Sequence, residues 1–154
     1  MHGAVLICSL AVACTAGAEV PSHEKSARVE ATAYVVTARA VGRAAVGTLA
    51  EVELLVETRA GYHLNDDYPL NVRPLPSTAA TFEKARVARE DGVAVSPCRT
   101  DLAHGCQAKV HLRYTPTRAG RAGLGGTFAF SACNADRCLI EKVDVEAKIE
   151  IFAR

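Results

Sequence analysis

The sequence predicts an all-β domain built as an antiparallel β-sandwich, and three observations lead to that prediction. Short runs of residues alternate between apolar and polar side chains, which is the period-2 pattern of half-buried strands. Clusters of Gly, Pro, Asn and Asp separate these runs, as turns do between short strands. Outside the N-terminal segment, residues 82–90 are the one contender for a helix, and this run is short and charged.

Residues 1–18 have the pattern of an export signal. They contain no Asp, Glu, Lys or Arg, and the apolar run at residues 4–13 is too short to cross a bilayer. Ala16-Gly17-Ala18 fits a signal-peptidase site, which would release a soluble product. Residues 10–14 fit a lipobox loosely, which would leave Cys14 lipidated as a membrane anchor. Either ending predicts a periplasmic or otherwise exported protein, with a flexible leader at 19–28 and one domain at 29–154.

The predicted strands begin directly after the leader. Residues 28–36 and 49–57 are rich in β-forming side chains, and the second run places Val52, Leu54 and Val56 on one face. The run at 71–73 is short because prolines follow it. We therefore expect two long strands and one short strand in the first half of the domain.

The second half has the clearer alternation. Residues 108–114 alternate strictly, and residues 127–132 follow a segment with four glycines that predicts a turn. Residues 143–151 place apolar side chains at every odd position and charged ones at every even position. This last run predicts a strand with one buried and one solvated face.

Composition excludes several functional classes. The formal net charge is +1, there is no Trp and aromatic residues make up 5% of the chain, so a nucleic-acid surface is not expected. The chain has no phosphate-binding loop, no nucleophile elbow and no C-x2-C pair. We therefore expect no cofactor and no metal site.

The six cysteines exceed what a domain of this size needs for stability. Cys98, Cys106, Cys133 and Cys138 lie in the predicted domain, and an even number in an oxidising compartment indicates disulfides. Four cysteines allow three pairings. The short spacings favour Cys98–Cys106 and Cys133–Cys138.

The segment from Cys133 to Cys138 predicts a disulfide across a hairpin. Asn134 and Asp136 favour a turn between the strands at 128–132 and 139–145. Directly opposed, non-hydrogen-bonded residues of antiparallel strands lie at a separation that suits a disulfide. An exposed bond at a hairpin tip is easier to reduce, and Arg137 would stabilise a Cys138 thiolate whereas Asp136 would oppose it. The alternative is a passive staple.

Three stretches then occur in a recognisable order. Gly61-Tyr62-His63-Leu64-Asn65 follows a predicted strand, residues 96–114 form a loop and a strand, and residues 130–143 carry the close cysteine pair into the last strand. Together they resemble the N-terminal periplasmic domain of the DsbD-type thiol:disulfide interchange proteins. The resemblance covers most of residues 45–151.

The resemblance implies an immunoglobulin-like β-sandwich whose Cys133/Cys138 dithiol exchanges electrons with thioredoxin-like periplasmic proteins. It favours Cys138 as the attacking cysteine, and it implies a separate membrane electron donor. Two departures stand out. The spacing is C-x4-C rather than C-x5-C, and the segment that caps the active site in the family has no aromatic lid residue here. It carries Cys98 and Cys106 instead, as a stapled loop or as a stiffened cap that gates the redox pair.

Further residues near these motifs are candidates for tuning a thiolate. His104 and Asp101 lie in the cap segment, and Tyr62 and His63 would lie beneath it. Each is otherwise an ordinary loop or packing residue. Two functions therefore remain: an exported thiol:disulfide interchange module, or a non-catalytic periplasmic binding or structural domain with two structural disulfides.

Overall fold

The computed structural model describes residues 27–96 and 105–154, which form two β-sheets packed face to face. The strands are β1 (Arg28–Glu30), β2 (Tyr34–Val41), β3 (Ala44–Ala45), β4 (Ala50–Thr58), β5 (His63–Leu64), β6 (Asn71–Pro74), β7 (Ala80–Phe82), β8 (Val87–Ala88), β9 (Ala94–Ser96), β10 (Gln107–Pro116), β11 (Gly120–Cys133) and β12 (Cys138–Phe152). The prediction of an all-β sandwich is confirmed.

The first sheet has the order β1-β2-β4-β10-β7, and β9 also pairs with β10. The second sheet has the order β3-β12-β11-β6-β8, and β5 also pairs with β11. Every pairing is antiparallel except the short one between β3 and β12. No helix among the described residues is long and apolar enough to cross a membrane.

The core lies between the sheets and follows the predicted alternation. Val52, Leu54 and Val56 of β4 are fully buried, as the period-2 pattern predicts. The odd-numbered residues of β12 from Val143 to Ile151 are buried in the same way. Phe130 links the layers, because its ring packs edge-on against Tyr34 at 4.9 Å between centroids.

The predicted strand at residues 28–36 is interrupted, and residues 82–90, the one contender for a helix, are not α-helical. The predicted strand at 28–36 divides into β1 and β2, and Ala31 N–H donates to the Tyr34 carbonyl in the tight connection between them. The run at 82–90 contains the last residue of β7, the whole of β8 and the start of a 3-10 turn at Arg89–Asp91. Pairing of β7 with β10 and of β8 with β6 outweighs the weak helical tendency of so short a run.

The glycine-rich segment before residue 127 was predicted to be a turn, and it is part of β11 instead. A Cβ on Gly125 would overlap the Val145 carbonyl oxygen and lie 2.6 Å from the Glu146 Cα. A Cβ on Gly126 would lie 2.5 Å from the Val72 side chain. These glycines are required because neighbouring strands approach closely, and β11 therefore pairs with β12 over its whole length.

Candidate functional site

The two cysteines at the tip of the β11–β12 hairpin form a disulfide, as predicted. Cys133 and Cys138 are directly opposed, with a Cα–Cα distance of 4.0 Å. Asn134 N–H donates to the Arg137 carbonyl at 2.9 Å, so these two residues form a hydrogen-bonded pair. Because hydrogen-bonded and non-hydrogen-bonded pairs alternate along an antiparallel ladder, the two cysteines form a non-hydrogen-bonded pair. The sequence analysis predicted the disulfide at this kind of directly opposed, non-hydrogen-bonded pair.

The turn between the cysteines is organised by one side chain. Asn134 Oδ1 accepts hydrogen bonds from the backbone N–H of Asp136 at 3.0 Å and of Arg137 at 2.9 Å. Asp136, Arg137 and Cys138 are all exposed. The Arg137 side chain, a predicted tuning residue, therefore lies next to Cys138 in the chain and in solvent.

The two sulfur atoms have different surroundings. Cys133 is 4% exposed, whereas Cys138 is exposed. The hydroxyl of buried Ser131 lies 3.7 Å from the Cys133 Sγ, within hydrogen-bonding distance for sulfur. Cys138 is therefore the accessible residue of the pair, and Cys133 is almost fully enclosed.

The strand β5 places His63 beside this pair. His63 is directly opposed to Cys133 on the other side of β11, and Leu64 is opposed to Ala132. Asn65 N–H continues the pairing by donating to the Ser131 carbonyl at 2.9 Å. Since opposed residues project from the same face of a sheet, His63, Cys133 and Cys138 form one row across three strands. The predicted tuning residue His63 is thus brought to the disulfide.

Tyr62, the other predicted tuning residue of this motif, is half-buried and packs against the core. Its carbonyl oxygen accepts a hydrogen bond from the Thr58 hydroxyl at 2.9 Å. Tyr62 therefore contributes a packing side chain and a backbone contact, next to the row that contains His63.

Thr58, which the sequence analysis missed, joins this region to Cys106. Thr58 is 1% exposed, and its hydroxyl accepts a hydrogen bond from the Cys106 N–H at 2.8 Å. Thr58 N–H donates to the Cys106 carbonyl at 2.9 Å, and Gly105 N–H donates to the Thr58 carbonyl at 3.1 Å. The signal in the sequence was that Thr58 occupies a buried-side position at the end of the alternating pattern of β4, where a hydroxyl needs a hydrogen-bond partner.

Cys106 is disulfide-bonded and 2% exposed. Cys98, Asp101 and His104 lie outside the described residues, as do residues 1–26 with Cys14 and the predicted signal. The contacts of Thr58 with Gly105, Cys106 and Tyr62 place the C-terminal base of the predicted cap at the same end of the sandwich as the hairpin tip. The pairing Cys98–Cys106 and the cap itself stay predictions.

Ile140 was also missed. Ile140 is 66% exposed and directly opposed to Ser131. It therefore lies on the same face of the sheet as the disulfide and is the next residue after Cys138 on that face of β12. Every later outward position of β12 up to Glu150 carries a charged residue. This break in the alternation was visible in the sequence.

No protein-family model and no curated protein matches this chain. The described residues contain no group of three His, Cys, Asp or Glu side chains arranged to hold a metal ion. The geometry brings together an exposed Cys138, an enclosed Cys133 and a histidine in the same row. Such a set is suited to thiol–disulfide exchange.

Proposed function

We propose that this protein is an exported thiol:disulfide interchange module that passes electrons to or from partner proteins through Cys133 and Cys138. The observation that carries the proposal is the asymmetry of the pair. Cys138 is exposed at the hairpin tip, and Cys133 is 4% exposed behind it. Exchange needs one cysteine that a partner can reach and one held close enough to resolve the mixed disulfide.

In the reducing direction, the thiolate of Cys138 attacks one sulfur of a partner disulfide. A bond forms between the Cys138 Sγ and that sulfur, and the other partner sulfur leaves as a thiolate. Cys133, once deprotonated, attacks the Cys138 Sγ, which closes the ring and releases the second partner thiolate. The partner gains two electrons and the Cys133/Cys138 dithiol loses two. The same steps in reverse oxidise a partner dithiol.

His63 has a role in the second step. Cys133 must lose its proton before it can attack, and His63 is directly opposed to it on the same face of the sheet. A neutral imidazole has a ring nitrogen that can accept a proton, so His63 is the suitable acceptor for the thiol proton at this position. Arg137 places positive charge beside Cys138, which favours the thiolate of the attacking cysteine.

The sequence resemblance to the DsbD-type N-terminal domain supports the same assignment and extends it. It favours thioredoxin-like proteins of the periplasm as partners and a separate membrane protein as the electron donor that restores the dithiol. Lipidation at Cys14 would hold the module at the membrane, and cleavage after Ala18 would release it.

A second function is a non-catalytic binding or structural domain with two structural disulfides. The burial of Cys133 and Cys106 favours it, since enclosed sulfur atoms are typical of disulfides that only stabilise a fold. The reduction potential separates the two functions. Structural disulfides lie below about −300 mV, and exchange-competent ones lie higher.

The test is to equilibrate the protein in glutathione and dithiothreitol buffers, trap the free thiols and locate them by mass spectrometry. We expect Cys133–Cys138 to be reduced at a potential above about −300 mV while the disulfide of Cys106 stays intact. A variant with both Cys98→Ser and Cys106→Ser gives the matched control for assigning the signal. Two disulfides that resist reduction until the protein unfolds would leave only the structural function.

A further inference from the structure

The outer edge of β12 is open beside the disulfide. β12 pairs with β11 from Cys138 onward, whereas its other side pairs with β3 only at Ile151 and Phe152. Among residues 27–96 and 105–154, no strand pairs with that side of β12 at positions 138–142. Within the described residues, the hairpin tip therefore has an unpaired strand edge next to the exposed Cys138.

The phase of the ladder shows which backbone groups face that edge. Cys133 and Cys138 are a non-hydrogen-bonded pair, so the N–H and C=O of Cys138 point away from β11. The pattern repeats every second residue, which gives Ile140 the same orientation. The bond from Asn65 N–H to the Ser131 carbonyl confirms the phase, because Ser131 is opposed to Ile140 and its carbonyl also faces away from β12.

Side chains protect the rest of this edge but not its beginning. Folded proteins place charges along exposed edge strands to prevent pairing with other chains. The outward positions of β12 from Lys142 onward all carry charged residues: Lys142, Asp144, Glu146, Lys148 and Glu150. The two positions before them carry the exposed residue Cys138 and the apolar residue Ile140, which is 66% exposed.

The geometry of a mixed disulfide fits this edge. A disulfide joins residues whose Cα atoms are about 4.4–6.8 Å apart, and hydrogen-bonded residues of antiparallel strands are about 5.5 Å apart. A partner cysteine can therefore lie directly opposite Cys138 on an added strand and still bond to its sulfur. In that register, the partner residue two positions before the cysteine lies opposite Ile140.

We propose that the partner of this module docks by strand addition, pairing an extended segment antiparallel to residues 138–142. The preferred substrate class is a protein whose reactive cysteine lies in an extended segment with an apolar residue two positions earlier. This inference rests on the proposed function and names its partner more closely. Backbone hydrogen bonds to Cys138 and Ile140 hold the segment, and the apolar side chain covers Ile140.

The test uses two peptides that differ by one methyl group. Each has a valine two positions before a cysteine held as its thionitrobenzoate disulfide, and in the second peptide the valine nitrogen is methylated. Methylation removes the donor that would pair with the Ile140 carbonyl. With the reduced protein, we expect the unmethylated peptide to release thionitrobenzoate at least about fivefold faster, as the loss of one hydrogen bond predicts.

Variants at Ile140 supply the matching change in the protein. Ile140→Pro removes the N–H that faces the open edge, and it also replaces the isoleucine side chain and fixes φ, at a position where proline is tolerated in strands; Ile140→Val keeps the N–H and most of the apolar side chain. We expect Ile140→Pro to react more slowly with the unmethylated peptide than Ile140→Val does, and both variants to react equally with dithiobis(nitrobenzoate). If Ile140→Pro does not fold, the two peptides with the unmodified protein still decide.

Equal rates for the two peptides would overturn the docking inference while leaving the exchange site in place. A reduced protein that reacts with neither the peptides nor dithiobis(nitrobenzoate) would overturn the proposed function itself. Self-association in sedimentation that Ile140→Pro abolishes would also overturn the inference, because a second copy would then occupy the edge.

Discussion

The outer faces of the two sheets differ in how their charged residues are arranged. On the first sheet, the Glu53 side chain is 5% exposed and receives two hydrogen bonds from Arg39, at 2.6 and 3.1 Å. Lys109 lies 3.5 Å and His111 lies 3.6 Å from the same carboxylate. On the second sheet, Arg121 pairs with Glu150 at 3.2 Å in exposed positions, and nearer the disulfide the hairpin contains small residues such as Gly125, where β11 and β12 approach closely.

The difference separates stability from reactivity. The Arg39 hydrogen bonds hold the pKa of Glu53 below its ordinary value, assisted by the positive charge of Arg39 and Lys109. That face presents partnered charges. At the hairpin tip, by contrast, Cys138 and Ile140 are exposed beside small buried side chains such as Ser131. None of the ion pairs among residues 27–96 and 105–154 involves the hairpin tip, so a partner can approach Cys138 without displacing one of them.

The largest effect on stability is expected at Gly125, on the outer face of the second sheet. A Cβ at this position would overlap the backbone of β12, so Gly125→Ala should lower the free energy of unfolding by about 3 kcal/mol. Gly42→Ala is the control, because no described residue other than its chain neighbours comes within 4 Å of a Cβ there. Its cost comes from a φ of 71° and is about 1 kcal/mol. Urea denaturation measures both. Equal losses would show that the hairpin does not depend on this close approach.

The charged face is tested by Glu53→Gln. The variant loses the charge-assisted hydrogen bonds from Arg39, and we expect the free energy of unfolding at pH 7 to fall by about 2 kcal/mol. The reduction potential of Cys133–Cys138 should stay unchanged, since Glu53 lies on the other sheet. A shifted potential would mean that the two faces are coupled.

The pH dependence sharpens the same comparison. Because the pKa of Glu53 is lowered on folding, its contribution is fully present above the unfolded-state value of about 4.3 and is lost as the pH falls through the lower folded-state value. The wild-type protein should therefore lose more stability than Glu53→Gln on acidification below about pH 4.5. The free energy of unfolding that Gly125→Ala loses should be the same at pH 7 and below about pH 4.5. Parallel pH profiles for wild type and Glu53→Gln would contradict the assignment.

A smaller effect is expected at Thr58, which connects Cys106 to the segment before β5. Thr58→Val leaves the buried Cys106 N–H without its acceptor, and we expect a loss of about 1.5 kcal/mol in the free energy of unfolding. Thr58→Ser keeps the hydroxyl and serves as the control. Hydrogen exchange at Cys106 provides a direct measurement, and unchanged protection in Thr58→Val would refute the role of the hydroxyl.

The smallest effect is expected at Tyr34, whose hydroxyl donates to Glu141 at 3.2 Å. Burial, together with the charge of Glu141, raises the pKa of Tyr34 to about 12. Tyr34→Phe keeps the ring against Phe130 and should cost only about 0.5 kcal/mol. Thermal denaturation measures this loss of stability. A loss as large as that of Glu53→Gln would mean that the Tyr34–Glu141 hydrogen bond contributes as much as the hydrogen bonds between Arg39 and Glu53.

The fold class and the hairpin could be predicted because a period-2 pattern is local information. Val52 to Val56 and the odd positions of β12 identify the buried faces without knowledge of the partners. The glycines of β11 could not be interpreted in that way, since the need for Gly125 arises from the neighbouring strand β12. A glycine cluster has the same sequence appearance in a turn and in a crowded strand.

The part of the candidate site that is local in sequence could also be predicted. Cys133, Cys138 and the turn between them are close in sequence, and their pairing followed from the spacing. The row that includes His63 and the contacts of Thr58 with Cys106 join residues far apart in the chain, so only the folded structure shows them. The open edge at Ile140 depends on which strand pairs with β12, and this is a property of sheet order.

The most direct test of the exchange site compares single cysteines at the hairpin tip. Cys133→Ser leaves Cys138 alone, and Cys138→Ser leaves Cys133 alone. Since Cys133 is 4% exposed and Cys138 is exposed, we expect the first variant to form a mixed disulfide with dithiobis(nitrobenzoate) at least about tenfold faster. Equal rates, or a faster reaction at Cys133, would contradict the assignment of Cys138 as the cysteine that meets the partner.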